Sequence, residues 1–385
     1  MQIASIEAFI LKLPAETPYL GQSPEGAGNG YFVRPPWQSL YSHRYESTLV
    51  RVVADDGAEG WGEALTPVGP EVVATIVDRL IAPMLVGRDA TSPRANWYFL
   101  RSLMRERGHL VGHQADALAA VDTALWDLCG RITGRRVVDL LGGALREVVP
   151  TYISGLPRPT DDSRAELARD WTTRGATAFK LHLGWGVEED LAAFDAVKAA
   201  VPTARIAVDA HWAYSVPESV ALARGLERRG AWFFEAPLAP EDIGGHAELA
   251  GKTQLAIGIG EMLRNRYEFG AWLDSRALGI AQPDVGRTGI TEAMAIAELC
   301  SAHHVPVALH HSTGLGISLA AGLQVSAALV DMLAFEYQPS SVEVGESRLG
   351  AVVPHDAQAF TLPSGPGLGV EIDVDTVRTL QKENR

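Results

Sequence analysis

Polar and charged side chains recur at the ends of short apolar segments, at intervals of 23 to 27 residues. They are His182, Asp209, Glu235, Glu261, Asp284, His310 and Glu336. Each interval has the length of one strand plus one helix, so the spacing indicates a repeated parallel βα unit. This repeat limits the possible folds more than any other feature of the sequence.

The segments that carry these residues predict eight strands, separated by amphipathic stretches that predict helices. In chain order they are "VVPTYISG", "AFKLHLG", "RIAVDAHW", "WFFEAPL", "LAIGIGEM", "LGIAQPDV", "VPVALHHS" and "DMLAFEY". Right-handed crossovers close eight such units into a barrel, and side chains at the carboxyl ends of its strands then share one face. We therefore predict an α/β fold with a (β/α)8 TIM-type barrel whose functional face carries these polar residues.

The first 125 residues have a different pattern, typical of an α+β domain. "IASIEAFILKL" and "ESTLVRVVADDGAEGWGEAL" predict strands, the second a hairpin around an Asp-Gly turn. Helical periodicity follows at 70–86, 92–107 and 114–133, whereas the Gly-, Pro- and aromatic-rich stretch 19–44 predicts a long irregular loop. We expect a capping domain at 1–125, the barrel at 126–355, and a C-terminal segment, 356–385, that returns to the capping domain.

Charge and composition exclude several classes of partner. The net charge of −14 over 385 residues repels nucleic-acid phosphates and anionic membranes. No apolar run approaches the ~20 residues that span a bilayer, and the first residues lack the pattern of a signal peptide. The two cysteines lie in apolar helical contexts, which favours reduced thiols. We expect a cytoplasmic protein that binds neither nucleic acid nor membrane.

Three successive predicted strands end in a carboxylate: Asp209, Glu235 and Glu261. Three such groups aimed at one point repel one another unless a cation lies between them. Oxygen ligands favour Mg²⁺, with Mn²⁺ as a possible substitute. The alternative is that each carboxylate pairs with an arginine or lysine elsewhere in the barrel.

The second barrel strand carries Lys180 and His182, which share one face of the strand because side chains alternate. Phe179 and Leu181 occupy the opposite, apolar face. We expect Lys180 and His182 to point into the barrel, where a nearby cation and partial burial would lower the pKa of the lysine toward that of a usable base. Alternatively, Lys180 forms a structural ion pair with an acid such as Asp209.

Taken in order, the motifs "KLH", "VDAHW", "FEAPL", "GEM", "QPDVGRTGIT", "ALHHSTGLGI" and "AFEY", with "VDTALWDLCGR" and "LLGG" before them, resemble the mandelate racemase branch of the enolase superfamily. The resemblance covers essentially the whole chain. It implies a capping domain on a modified (β/α)8 barrel, and Mg²⁺ on Asp209, Glu235 and Glu261. It also implies abstraction of the proton α to a substrate carboxylate, with Mg²⁺ stabilising the ene-diolate, and assembly into a homo-oligomer.

The resemblance also implies roles for individual side chains. The family usually has Lys-x-Lys where this chain has Lys180 and His182, which leaves open which of the two moves the proton or whether Lys180 orients a carboxylate. His211, in Asp-x-His, is similar to the galactonate and mannonate dehydratase pattern, in which it is a base or acid. It could equally be a filler bonded to a backbone carbonyl.

Adjacent His310 and His311 cannot both point inward, because side chains alternate along a strand. We assign His310 to the interior and His311 to substrate contacts. The resemblance pairs Asp284 with His310, since a carboxylate on one ring nitrogen fixes the tautomer and raises basicity. It implies that Glu336 donates a hydrogen bond to the enediolate, and the alternative for Glu336 is a salt bridge to an arginine.

These residues favour a Mg²⁺-dependent sugar-acid dehydratase, which forms a 2-keto-3-deoxy acid. The stretch 19–44 could bind the polyol chain through Tyr31, Arg34, Trp37, Tyr41, His43 and Arg44, although its aromatic residues could simply pack on the barrel. The same scaffold could serve a racemase or epimerase that uses Lys180 and His310 on opposite substrate faces, or a lactone cycloisomerase. A non-catalytic homologue is a further alternative, against which the full set of polar residues argues.

Overall fold

The computed structural model describes residues 1–14, 30–107 and 110–383, and it has the predicted architecture of an α+β region followed by a closed parallel barrel. Five strands come first: β1 (Ile3–Pro14), β2 (Tyr31–Arg34), β3 (Ser39–Ser42), β4 (Arg44–Ala54) and β5 (Glu59–Ala64). β1, β4 and β5 form an antiparallel sheet in the order β1-β4-β5, so the predicted hairpin is confirmed. Phe9, Leu11 and Leu13 alternate along β1 and are buried together on its barrel-facing side.

The prediction of irregular structure for residues 19–44 is wrong in its second half. β2 and β3 pair antiparallel from Tyr31↔Ser42 to Arg34↔Ser39 and form a small hairpin of their own. Residues 15–29, which complete the predicted loop, lie outside the described residues. We call residues 31–42 the roof hairpin, because they cover the mouth of the barrel.

Helices complete the N-terminal region. They are α1 (Pro70–Ile76), a π-helical turn (Val77–Ile81), α2 (Ala82–Leu85), α3 (Pro93–Leu103), α4 (Gly112–Thr133) and α5 (Val137–Leu140). α4 is buried on most of its surface, because β5 packs on one side of it and a barrel helix on another. The domain boundary predicted after residue 125 falls inside this helix, and the division into domains stays a prediction.

The barrel contains the eight predicted strands, each followed by a helix. Its units are β6 (Val148–Ser154) and α6 (Asp161–Thr173), β7 (Ala178–His182) and α7 (Val187–Ala200), β8 (Arg205–Asp209) and α8 (Val216–Arg228), β9 (Phe233–Glu235) and α9 (Ile243–Ala250), β10 (Ala256–Ile259) and α10 (Arg266–Asp274), β11 (Ile280–Ala281) and α11 (Val285–Ala302), β12 (Val307–Leu309) and α12 (Ile317–Ala328), and β13 (Met332–Tyr337) and α13 (Pro339–Leu349). All neighbours are parallel, and β13 pairs with β6 to close the ring.

The barrel interior is filled by one layer of large and small side chains, namely Tyr152, Ala178, Ala207, Phe233, Ile280, Ala308 and Ala334. The closed, filled interior is typical of TIM-type barrels, in which the interior is a core and not a channel. Open space is therefore found at the ends of the strands, where the polar repeat lies.

The C-terminal segment contacts both parts of the molecule. β14 (Ala359–Thr361) pairs antiparallel with β6, and α14 (Val374–Glu383) packs against β1 of the N-terminal sheet. The segment therefore adds a strand beside the barrel and then contacts the N-terminal sheet, and its assignment to the capping domain stays a prediction. Within the described residues, none of the helices combines the length and apolarity that crossing a bilayer requires.

The contact between β5 and α4 offers a test of the packing between the capping region and its central helix. A Cβ added at Gly62 would lie 1.9 Å from the carbonyl oxygen of Ala120, and neither backbone can rotate away. We expect Gly62→Ala to lower the free energy of unfolding by about 1–3 kcal/mol, as overpacked cores do, in urea denaturation.

Gly270→Ala in α10 is the matched control, because the nearest neighbouring atom to its added Cβ belongs to the Leu299 side chain of α11, 3.9 Å away. It is expected to be neutral or to stabilise by up to about 1 kcal/mol, since alanine is the better helix former. Equal unfolding free energies for Gly62→Ala and the unchanged chain would contradict the close approach of β5 to α4.

Candidate active site

A cavity of about 500 Å³ lies at the carboxyl ends of the barrel strands, beneath the roof hairpin. Twelve of the predicted site residues line it: Arg34, Trp37, Tyr41, His43, Arg44, Lys180, His182, Asp209, His211, Glu261, His310 and Glu336. The repeat therefore brings its side chains together, as parallel strands require. Glu235 and Asp284 lie behind this lining and contact residues that form it.

Lys180 is at the centre of the barrel floor and is only 1% exposed. Its Nζ lies 2.6 Å from Glu235 Oε1, 2.9 Å from Glu336 Oε1 and 3.8 Å from Asp209 Oδ2. Burial opposes the charge of Lys180, but Glu235 and Glu336 outweigh burial and raise its pKa well above the ordinary value. The floor therefore holds a protonated lysine whose nearest partners are two glutamates, with Asp209 further away.

The three predicted metal ligands lie around this floor without converging on one point. Glu235 accepts hydrogen bonds from Lys180 and from Gln282 Nε2, while Glu261 Oε2 lies 2.9 Å from His310 Nε2. Among residues 1–14, 30–107 and 110–383, no three His, Cys, Asp or Glu side chains are arranged to hold a metal ion. Lys180 and His310 thus contact two of the three carboxylates, and the role of all three as metal ligands stays a prediction.

The donor set nevertheless suits a hard divalent cation. The site contains five buried or nearly buried carboxylates and two cationic partners, Lys180 and His310. Burial raises the pKa of Asp209 to about 7 and that of Glu235 to about 8, although Lys180 opposes both shifts. Burial thus disfavours the bare carboxylates, and a divalent cation among these oxygen ligands, which are the type that Mg²⁺ prefers, would stabilise their ionised forms. The carboxylates are Asp209, Glu235, Glu261, Asp284 and Glu336.

His310 is held at both ring nitrogens. Its Nδ1 lies 2.6 Å from Asp284 Oδ2, and its Nε2 lies 2.9 Å from Glu261 Oε2. Burial opposes its charge, but Glu336 and Glu261 raise its pKa well above the ordinary value. The backbone also pairs Asp284 with His310 across the neighbouring strands, so the Asp–His pair is fixed by strand register and points into the cavity.

His311 does not line the cavity, contrary to the expectation that it contacts substrate. Its ring packs against Phe335, with centroids 5.9 Å apart, and within the described part of the chain neither ring nitrogen has a hydrogen-bond partner. Burial lowers its pKa to about 4, so it is neutral. The alternation that directs His310 inward directs His311 into the layer between barrel and helices.

Glu336 lies between the two cationic groups of the floor. Oε1 is 2.9 Å from Lys180 Nζ and also accepts a hydrogen bond from Ser154 Oγ, whereas Oε2 is 3.9 Å from His310 Nε2. Burial alone would raise its pKa, but Lys180 and His310 lower it to about 2. Glu336 is thus an acceptor here, and the donating role implied by the resemblance stays a prediction.

Two of the other predicted histidines, His182 and His211, occupy one wall. His182 Nε2 lies 3.2 Å from Ser154 Oγ, and burial together with Lys180 lowers its pKa to about 3. His211 follows the end of β8 with φ 44°, so strand alternation does not position it. Its Nε2 is 3.3 Å from Ser39 Oγ and 3.2 Å from Tyr41 Oη, so it bonds to roof hydroxyls and not to a backbone carbonyl.

The roof hairpin is anchored through Trp37, which is 5% exposed and donates from Nε1 to the carbonyl of Leu183 at 2.9 Å. Its ring lies 4.2 Å from that of His211, and the guanidinium carbon of Arg34 lies 4.7 Å from the indole centroid. Tyr31 does not line the cavity, contrary to expectation. Its hydroxyl donates to Glu46 at 3.0 Å, below the hairpin.

Comparisons with known proteins agree with this architecture. Residues 33–142 match the family described as mandelate racemase / muconate lactonizing enzyme, N-terminal domain, and residues 163–376 match the enolase C-terminal domain-like family. The chain belongs to the enolase superfamily. It is 31% identical over 395 residues to the D-galactarolactone cycloisomerase of Agrobacterium fabrum, covering 98% of each chain.

Other relatives in this superfamily have different names. The chain is 32% identical over 366 residues to the D-galactonate dehydratase of Verminephrobacter eiseniae, covering 89% of this chain and 90% of the relative. A solved member of the superfamily from Agrobacterium tumefaciens is 36% identical, with a TM-score of 0.93 over 98% of each chain. The relatives thus include lyases and isomerases that are named for sugar acids.

Several residues of the site were missed in the sequence. Ser154 ends β6 and lies 28 residues before His182, so the same repeat could have identified it. Gln282 and Ser39 carry no such signal, because neither ends a predicted strand. Arg287 also lines the cavity, and its Nη1 lies 3.7 Å from Asp116 of α4, which links the capping region to the site.

Proposed function

We propose that this enzyme removes the proton α to the carboxylate of a sugar acid and eliminates the C3 hydroxyl, which yields a 2-keto-3-deoxy acid. The observation that carries the proposal is the arrangement around Glu336, which has Lys180 on one side and the Asp284–His310 pair on the other. A substrate carboxyl group over this floor would have a cation beside its oxygens and an imidazole beside C2.

We further propose that Asp209, Glu235 and Glu261 hold Mg²⁺, for which Mn²⁺ could substitute. When bound, the ion would neutralise the second negative charge, which the substrate carboxylate gains as its α-proton leaves. The oxygen donor set supports this assignment, and binding requires Glu235 and Glu261 to exchange part of their contacts with Lys180 and His310.

The chain's own groups can balance the elimination. His310, once its Nε2 has left Glu261 and released its own proton, accepts the C2 proton while Asp284 holds its Nδ1. The electrons of the C2–H bond become the C2=C3 double bond, and the C3–O bond breaks. His211 faces the cavity from the middle of the wall, where it can donate the proton that lets hydroxide leave as water. The resulting enol takes up a proton at C3 and loses the proton of its C2 hydroxyl to become the ketone.

A second candidate is a lactone cycloisomerase, favoured by the match to the cycloisomerase over 98% of both chains. The same α-proton is removed, but the oxygen that leaves C3 belongs to the lactone ring, so no water is lost. A departing carboxylate is a far weaker base than hydroxide. It needs no strong acid, and His211 would then serve only for positioning.

The test uses the purified chain with Mg²⁺ and a panel of aldonic acids, aldaric acids and their monolactones, with 2-keto acids detected as semicarbazones. Keto acid from an open-chain acid supports dehydration, whereas keto acid from lactones alone supports the cycloisomerase. Deuterium entering C2 from D₂O without keto acid indicates a racemase or epimerase. A complete absence of turnover and exchange over the panel would contradict the proposal.

Removal of divalent cations is expected to abolish turnover, and MgCl₂ is expected to restore it. Mg²⁺ should also raise the melting temperature, because a ligand that binds only the folded chain at 100 times its Kd stabilises it by about 2.7 kcal/mol. Asp209→Asn should lose most of this shift, whereas Asp274→Asn, whose side chain is 79% exposed on α10, should keep it. Full turnover in EDTA would contradict the assignment of the ligands.

A further inference from the structure

The two ends of the reaction cavity have opposite charge. Among the described residues that line it, the acidic side chains are Asp209, Glu261 and Glu336, and all three belong to the barrel floor. The barrel side also carries the basic residues Lys180 and Arg287, whereas on the opposite side the charged lining residues are Arg34, at the end of β2 in the roof hairpin, and Arg44, at the start of β4. The floor therefore suits a cation, and the roof suits an anion at the far end of the same ligand.

Arg34 is the roof cation whose position is best defined. It pairs in register with Ser39, so both side chains lie on the face of the hairpin that covers the cavity. Its guanidinium lies over the buried ring of Trp37, a cation–π contact that limits its motion.

Hydroxyl-bearing groups occupy the space between floor and roof. Ser39 and Tyr41 present their hydroxyls beside the His211 ring, at 3.3 and 3.2 Å. A bound sugar acid would thus meet an acidic metal-binding floor at C1, hydroxyl and imidazole groups along its middle, and a guanidinium at its far end. This order of groups is complementary to a chain of hydroxyl-bearing carbons with a carboxylate at each end.

We propose that Arg34 forms a subsite for a second carboxylate, so that the substrate is an aldaric acid or its monolactone and not an aldonic acid. The proposal rests on the proposed function, since it needs the first carboxylate to lie over the barrel floor. A planar guanidinium can bind a carboxylate through two parallel hydrogen bonds, whereas the terminal hydroxymethyl group of an aldonate offers no charge.

The experiment compares acids that differ only at C6: galactarate with galactonate, and glucarate with gluconate, together with their monolactones. For the configuration that is turned over, kcat/KM is expected to be on the order of 10- to 100-fold higher for the dicarboxylate, the range of a charge-assisted hydrogen bond. Arg34→Met should reduce this ratio to near 1, because it removes the charge and keeps much of the side-chain length. A 6-phosphoaldonate distinguishes carboxylate recognition from recognition of any terminal anion.

Arg158→Met is the matched control. Arg158 is exposed and lines a neighbouring cavity of about 530 Å³. Arg34 and His182 line both cavities, whereas Arg158 does not line the reaction cavity. The ratio should be preserved in this variant. Circular dichroism melting shows that each variant is folded, and calorimetric binding of the same acid pairs gives a readout that does not require turnover.

The outcomes separate the two proposals. If no acid is turned over but dicarboxylates bind more tightly and lose this preference in Arg34→Met, the proposed reaction fails and the subsite stands. If aldonates and aldarates are used equally, or Arg34→Met weakens both equally, the subsite is overturned and the reaction stands. A loss of preference in Arg158→Met alone, or a preference for the 6-phosphoaldonate, would also overturn it.

Discussion

Lys180→Met is expected to lower kcat by about 10²- to 10³-fold, the effect of removing one preorganised donor from a reaction site. The same change is expected to lower the free energy of unfolding by about 3–5 kcal/mol when no divalent cation is present, because it leaves buried charges without their partner. The physical reason is the position of Nζ, which lies within 3.0 Å of both Glu235 and Glu336 in a side chain that is 1% exposed.

Turnover is measured as keto-acid formation, and stability is measured by urea denaturation in EDTA and again in MgCl₂. Mg²⁺ should restore more stability to Lys180→Met than to the unchanged chain, since the ion can take the place of the missing ammonium. Lys252→Met is the control, because Lys252 is 45% exposed and its pairing with Glu248 should contribute less than about 1 kcal/mol. Equal losses of stability in the two variants would contradict the central role of Lys180.

The repeat made the barrel predictable even where individual strands carry little signal. β11 consists of only Ile280 and Ala281, too few residues for a pattern of its own. It was predicted from the short apolar segment "LGIAQPDV" between two helical stretches, and Asp284 places it in the repeat although the preceding interval is only 23 residues. The period of one βα unit is set by all the units of the barrel together. It can therefore be recognised even where one strand is short or irregular.

The roof hairpin could not be predicted in the same way. β2 and β3 have four residues each and pair only with each other, so neither strand has the alternation of buried and exposed residues that marks a strand of a larger sheet. The pairing of β14 with β6 joins residues more than 200 apart in the chain. Contacts of this kind are decided by tertiary packing and leave no local signature.

The sequence also predicted which residues meet, but not how they divide their contacts. Strand order brings Lys180, Asp209, Glu235 and Glu336 to one face, whereas the choice of Glu235 and Glu336 as partners of Lys180 depends on differences of about 1 Å. Such differences arise from side-chain torsions and from the packing behind the floor, such as the bond from Gln282 to Glu235. Spacing along a strand carries no information on them.

The adjacent histidines of the seventh barrel unit give the sharpest test of the reaction. His310→Asn is expected to lower keto-acid formation by about 10²- to 10⁴-fold, the usual contribution of a positioned acid or base. Asparagine keeps a hydrogen bond to Asp284 within reach but cannot take up a proton. His311→Asn should leave kcat within about twofold, because a neutral side chain packed against Phe335 does not reach the cavity and moves no proton.

Isotope exchange then assigns the role of His310. If His310 removes the C2 proton, His310→Asn should lose both keto-acid formation and the exchange of C2 deuterium with solvent, because both begin with the same broken bond. If exchange continues while keto acid is lost, His310 acts on the leaving oxygen. The base is then Lys180 of the floor or His182 of the wall. Loss of activity in His311→Asn but not in His310→Asn would contradict the register of β12. In that register the backbone bridge joins Asp284 to His310, so of these two adjacent histidines only His310 faces the cavity.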